Sequence, residues 1–189
     1  MALPVYGEKE IVGFLSRRSG LLGGVCISGG EPTLQEDLTD FAALIKSVGF
    51  KVKLDTNGTR PHVLYDLLER ELLDYVAVDI KAPREKYNRL AGVEVDYEAV
   101  MRTVAFLRES GIDHEFRTTF VPGLLNKMDM IVIATELSGC CCYVIQSFKP
   151  SGSLLDPDLN CTGVPERGEL EETVRCCRDF INVVELRGF

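Results

Sequence analysis

The sequence predicts an α/β protein in which parallel strands alternate with helices. Short apolar runs such as Val76-Ala77-Val78 are typical of strands that are buried on both faces of a parallel sheet. Amphipathic helical segments separate these runs at intervals of about 25 to 35 residues, which is the pattern of consecutive βα units. Because no linker is long enough to divide the chain, we expect residues 1–189 to form one domain.

In the first half of the chain, glycines and prolines mark where the elements begin and end. A helix is expected over residues 8–18, and a strand from Val25 to Ser28 follows a pair of glycines. Thr33 and Glu36 have the spacing of a capping box, so the next helix is expected to begin there and to end at Gly49. The remaining elements expected here are a strand over 52–55, a helix from Pro61 and a strand over 75–80.

The second half continues the alternation. Residues 84–92 are expected to be irregular, and Asp96 is a candidate N-cap for a helix that ends at Gly111. The later elements are expected to be a strand over 115–121, a helix over 127–138, a strand over 142–148, a loop over 151–163, a helix over 169–181 and a final strand over 183–186.

Composition disfavours several classes of function. The net charge is −8 and no dense run of Lys and Arg occurs, which argues against a nucleic-acid partner and against a basic membrane-binding surface. No apolar stretch reaches the ~18 residues of a spanning helix. The first residues do not have the pattern of a secretory signal peptide. We therefore expect a cytoplasmic protein.

The seven cysteines are odd in number and irregular in spacing, which disfavours a secreted disulfide framework. Cys140, Cys141 and Cys142 are consecutive, so neighbours would point to opposite faces of a strand. They are either buried small residues, which we favour, or metal ligands. His62 and His114 are isolated, and neither is a candidate metal ligand.

The segment from Cys26 to Thr33 is the strongest local signal. Gly29 and Gly30 allow a tight backbone turn after an apolar run, and Pro32 keeps Glu31 out of the helical region. A carboxylate in such a turn can accept a charge-assisted hydrogen bond from a ligand ammonium group. The same residues also fit an ordinary strand-to-helix turn with a solvated Glu31.

Polar side chains recur where successive strands end. In a parallel sheet these ends lie on one rim, where α/β proteins bind ligands. Each residue taken singly also fits a solvated loop, but the joint pattern predicts a site for a zwitterionic ligand or a cation. The residues concerned are Glu31, Asp55, Asn57, Asp79, Lys81, Glu115, Arg117, Gln146 and Lys149.

Four motifs together resemble the radical S-adenosylmethionine activases of glycyl radical enzymes. The resemblance covers about residues 4–150 and is closest to the activating proteins of the anaerobic ribonucleoside-triphosphate reductase, followed by the pyruvate formate-lyase activases. The motifs are Ser28-Gly29-Gly30-Glu31-Pro32-Thr33, Leu54-Asp55-Thr56-Asn57-Gly58, the segment Asp74 to Lys81, and Glu115-Phe116-Arg117-Thr118-Thr119.

The resemblance implies a partial (β/α) barrel that binds S-adenosylmethionine. In such activases the turn of Gly29, Gly30 and Glu31 holds the methionine amino group, and Lys81 pairs with the carboxylate. Asp55 and Asp79 lie near the ribose and carboxylate, and in the formate-lyase relatives the matching aspartates also hold a monovalent cation. The implied cofactor-binding positions are completed by Thr56, Asn57 and Arg117.

One departure from the family pattern is decisive for activity. These activases reduce the cofactor with a [4Fe–4S] cluster on a CxxxCxxC motif, and this sequence has no such motif. We therefore expect the first strand and the cluster ligands to lie upstream of Met1, in a full-length parent that also meets an electron donor protein and a glycyl radical enzyme. The chain alone is expected to be inactive and to self-associate through an unpaired strand edge.

Two other interpretations remain open. The chain could be a cluster-free module that holds S-adenosylmethionine or a partner protein without redox chemistry. It could also be an unrelated α/β barrel that binds a different small ligand. An in-frame CxxxCxxC directly upstream would favour the activase, whereas a true start at Met1 would favour the module.

Overall fold

A computed structural model describes residues 5–149 and 163–188. The described residues form one sheet of six parallel strands, in which the strands are arranged in the same order as in the sequence. This order is that of a partial (β/α) barrel, and it confirms the predicted fold class. The strands are β1 (Gly24–Ile27), β2 (Lys51–Thr56), β3 (Tyr75–Asp79), β4 (His114–Phe120), β5 (Cys142–Ser147) and β6 (Val183–Arg187).

Helices connect the strands. Among the described residues, the longest helix has 14 residues, and no helix is both long enough and apolar enough to cross a membrane. The α-helices are α1 (Glu8–Ser16), α2 (Leu38–Ser47), α3 (Pro61–Glu69), α4 (Tyr87–Ala91), α5 (Tyr97–Ser110), α6 (Lys127–Glu136) and α7 (Arg167–Cys177), with 3₁₀ turns at Pro32–Leu34 and Arg84–Lys86.

The two faces of the sheet differ in chemistry because successive side chains of a strand alternate in direction. One face carries apolar residues such as Leu54, Val78 and Phe116, which belong to the buried core that the helices share. The other face, here called the inner face, carries charged side chains on β2, β3, β4 and β6. Its charged residues are Lys51, Lys53, Asp55, Asp79, Glu115, Arg117, Glu185 and Arg187.

The predicted capping box of Thr33 and Glu36 is wrong. Glu31 is instead the N-cap of the 3₁₀ turn, and its Oε1 accepts hydrogen bonds from Thr33 N at 3.1 Å and Thr33 Oγ1 at 2.6 Å. Gln35 then has an extended backbone (φ −81°, ψ 126°), and α2 begins only at Leu38. The carboxylate of Glu31 already accepts the hydrogen bond from Thr33 N that Glu36 would have accepted in a box, and it also engages the Thr33 hydroxyl.

The prediction that residues 84–92 are irregular is also wrong, because this segment forms a 3₁₀ turn followed by α4. Tertiary contacts stabilise it. Lys86 Nζ donates to Asp129 Oδ2 at 2.7 Å, and the buried Tyr87 packs edge-on against Tyr97 with ring centroids 5.1 Å apart. Gly92 ends α4 with φ of 72°.

The other helix signals are mostly correct. Asp96 caps α5 through Ala99 N at 3.2 Å, and Gly111 ends that helix in the left-handed conformation. The predicted loop at 151–163 lies outside the described residues except for Gly163. Strand β1 is an edge of the sheet, so the self-association expected through such an edge stays a prediction.

Asp74 joins the start of β2 to the start of β3 and to α2. Its Oδ2 accepts a hydrogen bond from Val52 N at 2.7 Å, and Lys46 Nζ lies 2.9 Å and 2.8 Å from its two carboxylate oxygens. Partial burial raises the pKa of Asp74, but the bonds from Lys46 and Val52 outweigh burial and leave the pKa below the usual range of Asp. Ionised Asp74 therefore stabilises the fold.

We expect Asp74→Asn to lower the free energy of unfolding at pH 7 by about 1–3 kcal/mol, because a part-buried charged hydrogen-bond partner is lost. The folded-state pKa is depressed, so the contribution is present above the unfolded-state value of about 3.9 and is lost as the pH falls through the folded-state value. Urea unfolding from pH 7 to pH 3 should show the difference from the natural chain shrinking below about pH 4.

The matched control is Asp66→Asn, which removes an exposed pair with Arg70 on α3. Its effect should stay within about 0.5 kcal/mol at every pH. A constant difference for Asp74→Asn across the pH range would contradict the proposed role of the ionised carboxylate.

Candidate functional site

The turn after β1 is locked to the end of β2 by the side chain of Glu31. Its Oε1 accepts a hydrogen bond from Thr56 Oγ1 at 2.7 Å in addition to the two bonds from Thr33, and its Oε2 accepts one from Asn57 N at 2.7 Å. Glu31 thereby fixes the position of the preceding Gly29-Gly30 backbone.

Gly29 and Gly30 leave the surface of that turn bare. Their φ angles are 97° and 48°, which favour glycine over any residue with a Cβ atom. A Cβ built at either position would meet nothing within 4 Å. The turn therefore leaves its backbone open to a ligand directly before Glu31 in the chain.

A guanidinium group bridges two strand ends. Arg117 on β4 donates from Nε to Asp79 Oδ1 at 2.8 Å and from Nη1 to Asp55 Oδ2 at 3.0 Å. Burial disfavours the charge, but the bonds to Asp79 and then Asp55 outweigh burial and raise the pKa of Arg117 further above its already high value. The resemblance implied a monovalent cation at Asp55 and Asp79. In the structure the guanidinium group of Arg117 contacts both aspartates, and the cation stays a prediction.

Ala77 makes the bridge possible. Strands β2 and β4 are not neighbours, because β3 lies between them, and two strand spacings amount to about 9.5 Å. In the register of the sheet, Ala77 is opposite both Asp55 and Glu115. A single methyl group at this position lets side chains from β2 and β4 meet across β3.

A cavity of about 250 Å³ opens beside the bridge. Its polar lining consists of Asp79, Lys81, Arg117 and Thr119, and Lys81 is exposed to solvent. The apolar lining comes from the segments that follow β3, β4 and β5, including α4: Ile80, Leu90, Val121, Leu124 and Phe148. The segment that sequence analysis expected to be irregular thus supplies part of the wall.

A second layer of charges lies below the bridge on the inner face. Glu115, whose side chain is only 2% exposed, places Oε1 3.3 Å from Lys53 Nζ and Oε2 2.8 Å from Arg187 Nη1. Lys53 Nζ also lies 3.4 Å from Asp55 Oδ1, which links the two layers. Burial, and then the charge of Glu115, raise the pKa of the neighbouring Tyr75 to about 12.

The structure brings the predicted residues together in two groups at the carboxyl ends of the strands. Glu31 contacts Thr56 and Asn57, whereas Asp55 and Asp79 surround Arg117, and Lys81 lines the same cavity. No hydrogen bond or ion pair joins the two groups among the described residues. Three residues of this region were not among the predicted site residues: Lys53, Ala77 and Arg187. Strict alternation around Leu54 was a usable signal for Lys53.

The cysteines do not provide a cluster site within the described residues. Cys26 lies on β1, Cys140 to Cys142 lead into β5, and Cys176 and Cys177 end α7, while Cys161 lies outside the description. No three His, Cys, Asp or Glu side chains of the described ranges come together as a metal site. These side chains do not fit a [4Fe–4S] cluster, so we assign no step to one.

The three consecutive cysteines differ in exposure, since Cys140 is buried, Cys142 is half-buried and Cys141 is exposed. The interpretation as buried small residues holds only for Cys140. His114 is buried on β4, where its Nδ1 lies 2.8 Å from the carbonyl oxygen of Ile112. It serves the packing of the strand.

Most of the sequence that forms this sheet matches a known protein family. Residues 8–133 match the model of the Radical SAM superfamily, and the chain belongs to that family. The class agrees with a parallel sheet whose polar groups gather at the carboxyl ends of the strands.

One related sequence and one solved structure are similar to this chain over most of its length. A Methanocaldococcus jannaschii protein that bears the provisional name glycyl-radical enzyme activating enzyme is 35% identical over 168 residues, which cover 86% of this chain and 70% of that protein. A solved domain of a Bacteroides vulgatus pyruvate-formate lyase-activating enzyme matches with a TM-score of 0.70 at 15% identity, covering 88% of this chain and 100% of that one.

A second structural neighbour is Streptococcus suis SuiB, solved with S-adenosylmethionine bound. It matches with a TM-score of 0.74 at 12% identity, covering 100% of this chain and 45% of SuiB. At such identities the two solved structures establish the fold alone. They agree with the α/β fold described above.

We expect Ala77→Leu to separate Asp55 from Arg117, because the larger side chain would fill the space between β2 and β4. The measurement is a double-mutant cycle of Asp55→Asn and Arg117→Gln followed by urea unfolding. The coupling free energy should be about 1–3 kcal/mol in the natural chain and close to zero in the Ala77→Leu background.

Ala77→Ser is the matched control, since it adds only one oxygen atom and should keep the coupling. A coupling that survives Ala77→Leu unchanged would show that the small residue is not what permits the bridge.

Proposed function

We propose that this chain is the S-adenosylmethionine-binding, C-terminal portion of a radical SAM activase. In the full-length parent, the activase would cleave the cofactor to generate a glycyl radical on a partner enzyme of the anaerobic ribonucleotide reductase or formate-lyase type. The observation that carries the proposal is the rim itself, where a bare glycine turn, two aspartates, an arginine and an exposed lysine follow successive parallel strands. The name of the Methanocaldococcus jannaschii relative supports the class of partner.

The charges of the rim match those of the methionyl end of the cofactor. Lys81 is exposed at the mouth of the cavity and is placed to pair with a carboxylate. Glu31 Oε2 has Asn57 N as its hydrogen-bond partner, so it can accept a second hydrogen bond, from the ligand ammonium group. Gly29 and Gly30 leave the approach to that oxygen open.

The size of the cavity limits what it can receive. Its volume of about 250 Å³ lies below the roughly 300–1,000 Å³ of clefts that enclose a whole small ligand. We infer that it takes the charged end of the cofactor, while the nucleoside extends over the adjoining rim. Asp79 and Arg117 form the inner wall and orient that end.

A cluster-free binding module is the second candidate. It is favoured by the lack of a CxxxCxxC motif in the 189 residues and by the scattered cysteines of the described ranges. In the activase proposal, the cluster ligands and the electron donor protein belong to the full-length parent. Both candidates share the cofactor site, and the coding sequence upstream of Met1 separates them.

We expect Lys81→Met to weaken S-adenosylmethionine binding by about tenfold or more, because a charge-assisted pair with the ligand carboxylate is lost. Isothermal titration calorimetry measures the affinity. Lys51→Met is the matched control, since Lys51 is exposed at the amino end of β2, away from the rim. Equal affinities for both variants, or no heat from the folded natural chain, would count against the site.

We also expect the chain to bind S-adenosylmethionine without cleaving it, because its sequence supplies no cluster motif. The measurement is chromatographic detection of 5′-deoxyadenosine after anaerobic reconstitution with iron and sulfide and reduction with dithionite. Product above the level of a heat-denatured sample would overturn the expected inactivity and would reveal a cluster site elsewhere in the chain.

A further inference from the structure

We propose that Glu115 makes the cofactor site selective for the positively charged sulfonium of S-adenosylmethionine over the neutral thioether S-adenosylhomocysteine. The inference rests on the proposed function, because it concerns the ligand of the same rim. It assigns to Glu115 a specificity-determining role at a distance, without contact with the ligand.

Glu115 is the most deeply buried carboxylate of the inner face. Its side chain is 2% exposed, compared with 18% for Asp55, 38% for Asp79 and 47% for Glu185. A charge that is removed from solvent is screened less by water and salt than an exposed one. Its field therefore acts on a nearby ligand more strongly than that of Glu185 on the same face.

Glu115 lies one layer below the residues that line the cavity. It is two positions before Arg117 on β4, which corresponds to about 6.6 Å along a parallel strand. Its Oε1 lies 3.9 Å from Arg117 Nη1. A ligand held by Asp79, Lys81 and Arg117 would thus lie within about 10 Å of the carboxylate, a distance at which a buried charge is still felt.

The sign of the effect follows from the charges of the inner face. Four cationic groups meet four carboxylates there, so the face has no net charge, and replacing Glu115 by Gln would leave it with one net positive charge, which disfavours a cationic ligand. The cations are Lys51, Lys53, Arg117 and Arg187, and the carboxylates are Asp55, Asp79, Glu115 and Glu185.

The two ligands differ by one charge. S-adenosylmethionine has an ammonium, a carboxylate and a sulfonium group and so carries one net positive charge, whereas S-adenosylhomocysteine carries none. Loss of a negative charge about 10 Å away, at an effective dielectric constant of 20 to 40, weakens binding of the cation by roughly 4- to 17-fold. The neutral ligand should be affected by less than about twofold.

The experiment compares the two ligands by calorimetry in the natural chain and in Glu115→Gln. We expect the ratio of the S-adenosylmethionine affinity to the S-adenosylhomocysteine affinity to fall by about fourfold or more. Glu172→Gln is the control for net charge, since Glu172 is exposed on α7 and pairs with Lys127. It should leave the ratio within about twofold of the natural value.

Arg187→Gln is a second test, in which a positive charge is removed from the inner face in place of a negative one. It remains informative even if Glu115→Gln does not fold. Arg187 is 43% exposed and pairs with Glu115, so its neutralisation should raise the affinity ratio. Thermal unfolding verifies that each variant is folded.

Equal loss for both ligands in Glu115→Gln would show a purely structural role and would overturn the inference, as would a ratio that Arg187→Gln leaves unchanged or lowers. If the natural chain binds neither ligand, the proposed function fails and the inference fails with it. If the natural chain binds S-adenosylmethionine but the ratios do not move, the inference alone fails.

Discussion

The bridge from Arg117 to Asp55 and Asp79 is the interaction on which the site depends. A guanidinium group that is only 12% exposed is costly unless hydrogen-bonded carboxylates compensate it, and here two strands supply them. The bridge in turn requires a small residue on β3, because a larger one would keep β2 and β4 apart. One alanine on β3 thereby allows charged side chains of three neighbouring strands to meet.

Glu31 has a different kind of role from the other acidic residues of the rim. Its carboxylate accepts four hydrogen bonds from Thr33, Thr56 and Asn57. Most of its hydrogen-bonding capacity is therefore used to hold the turn against the end of β2. A ligand ammonium group would therefore add one hydrogen bond to a network that is already formed in the free protein. Such preorganisation lowers the cost of binding, because the turn does not have to be ordered when the ligand arrives.

The charged inner face distinguishes this sheet from a closed parallel barrel whose interior is filled by apolar side chains. Below the rim, Glu115 is ion-paired with both Lys53 and Arg187. Among these groups Glu115 is the least exposed to solvent, so its charge is the least screened by water. Membership of the Radical SAM superfamily makes that charge relevant, because the cofactor of the family is a cation.

The sequence by itself determined the α/β class, the parallel order and the gathering of Glu31, Asp55, Asp79, Lys81 and Arg117 at one rim. It could do so because apolar periodicity reports which segments are buried, and because parallel strands all end on the same side. It did not predict that residues 84–92 form a 3₁₀ turn and a short helix, because this structure depends on contacts of Lys86 and Tyr87 with helices that are distant in the sequence.

The tertiary structure alone decided which charges pair. The contacts of Lys53 with Glu115 and of Arg117 with Asp55 join residues 62 positions apart, across an intervening strand. The register places Ala77 opposite Asp55 and Glu115, one partner of each pair. The alternating pattern of a strand fixes the face that each side chain takes, but a shift by two residues would keep that face and change every partner, so the pattern of single strands does not give the pairs.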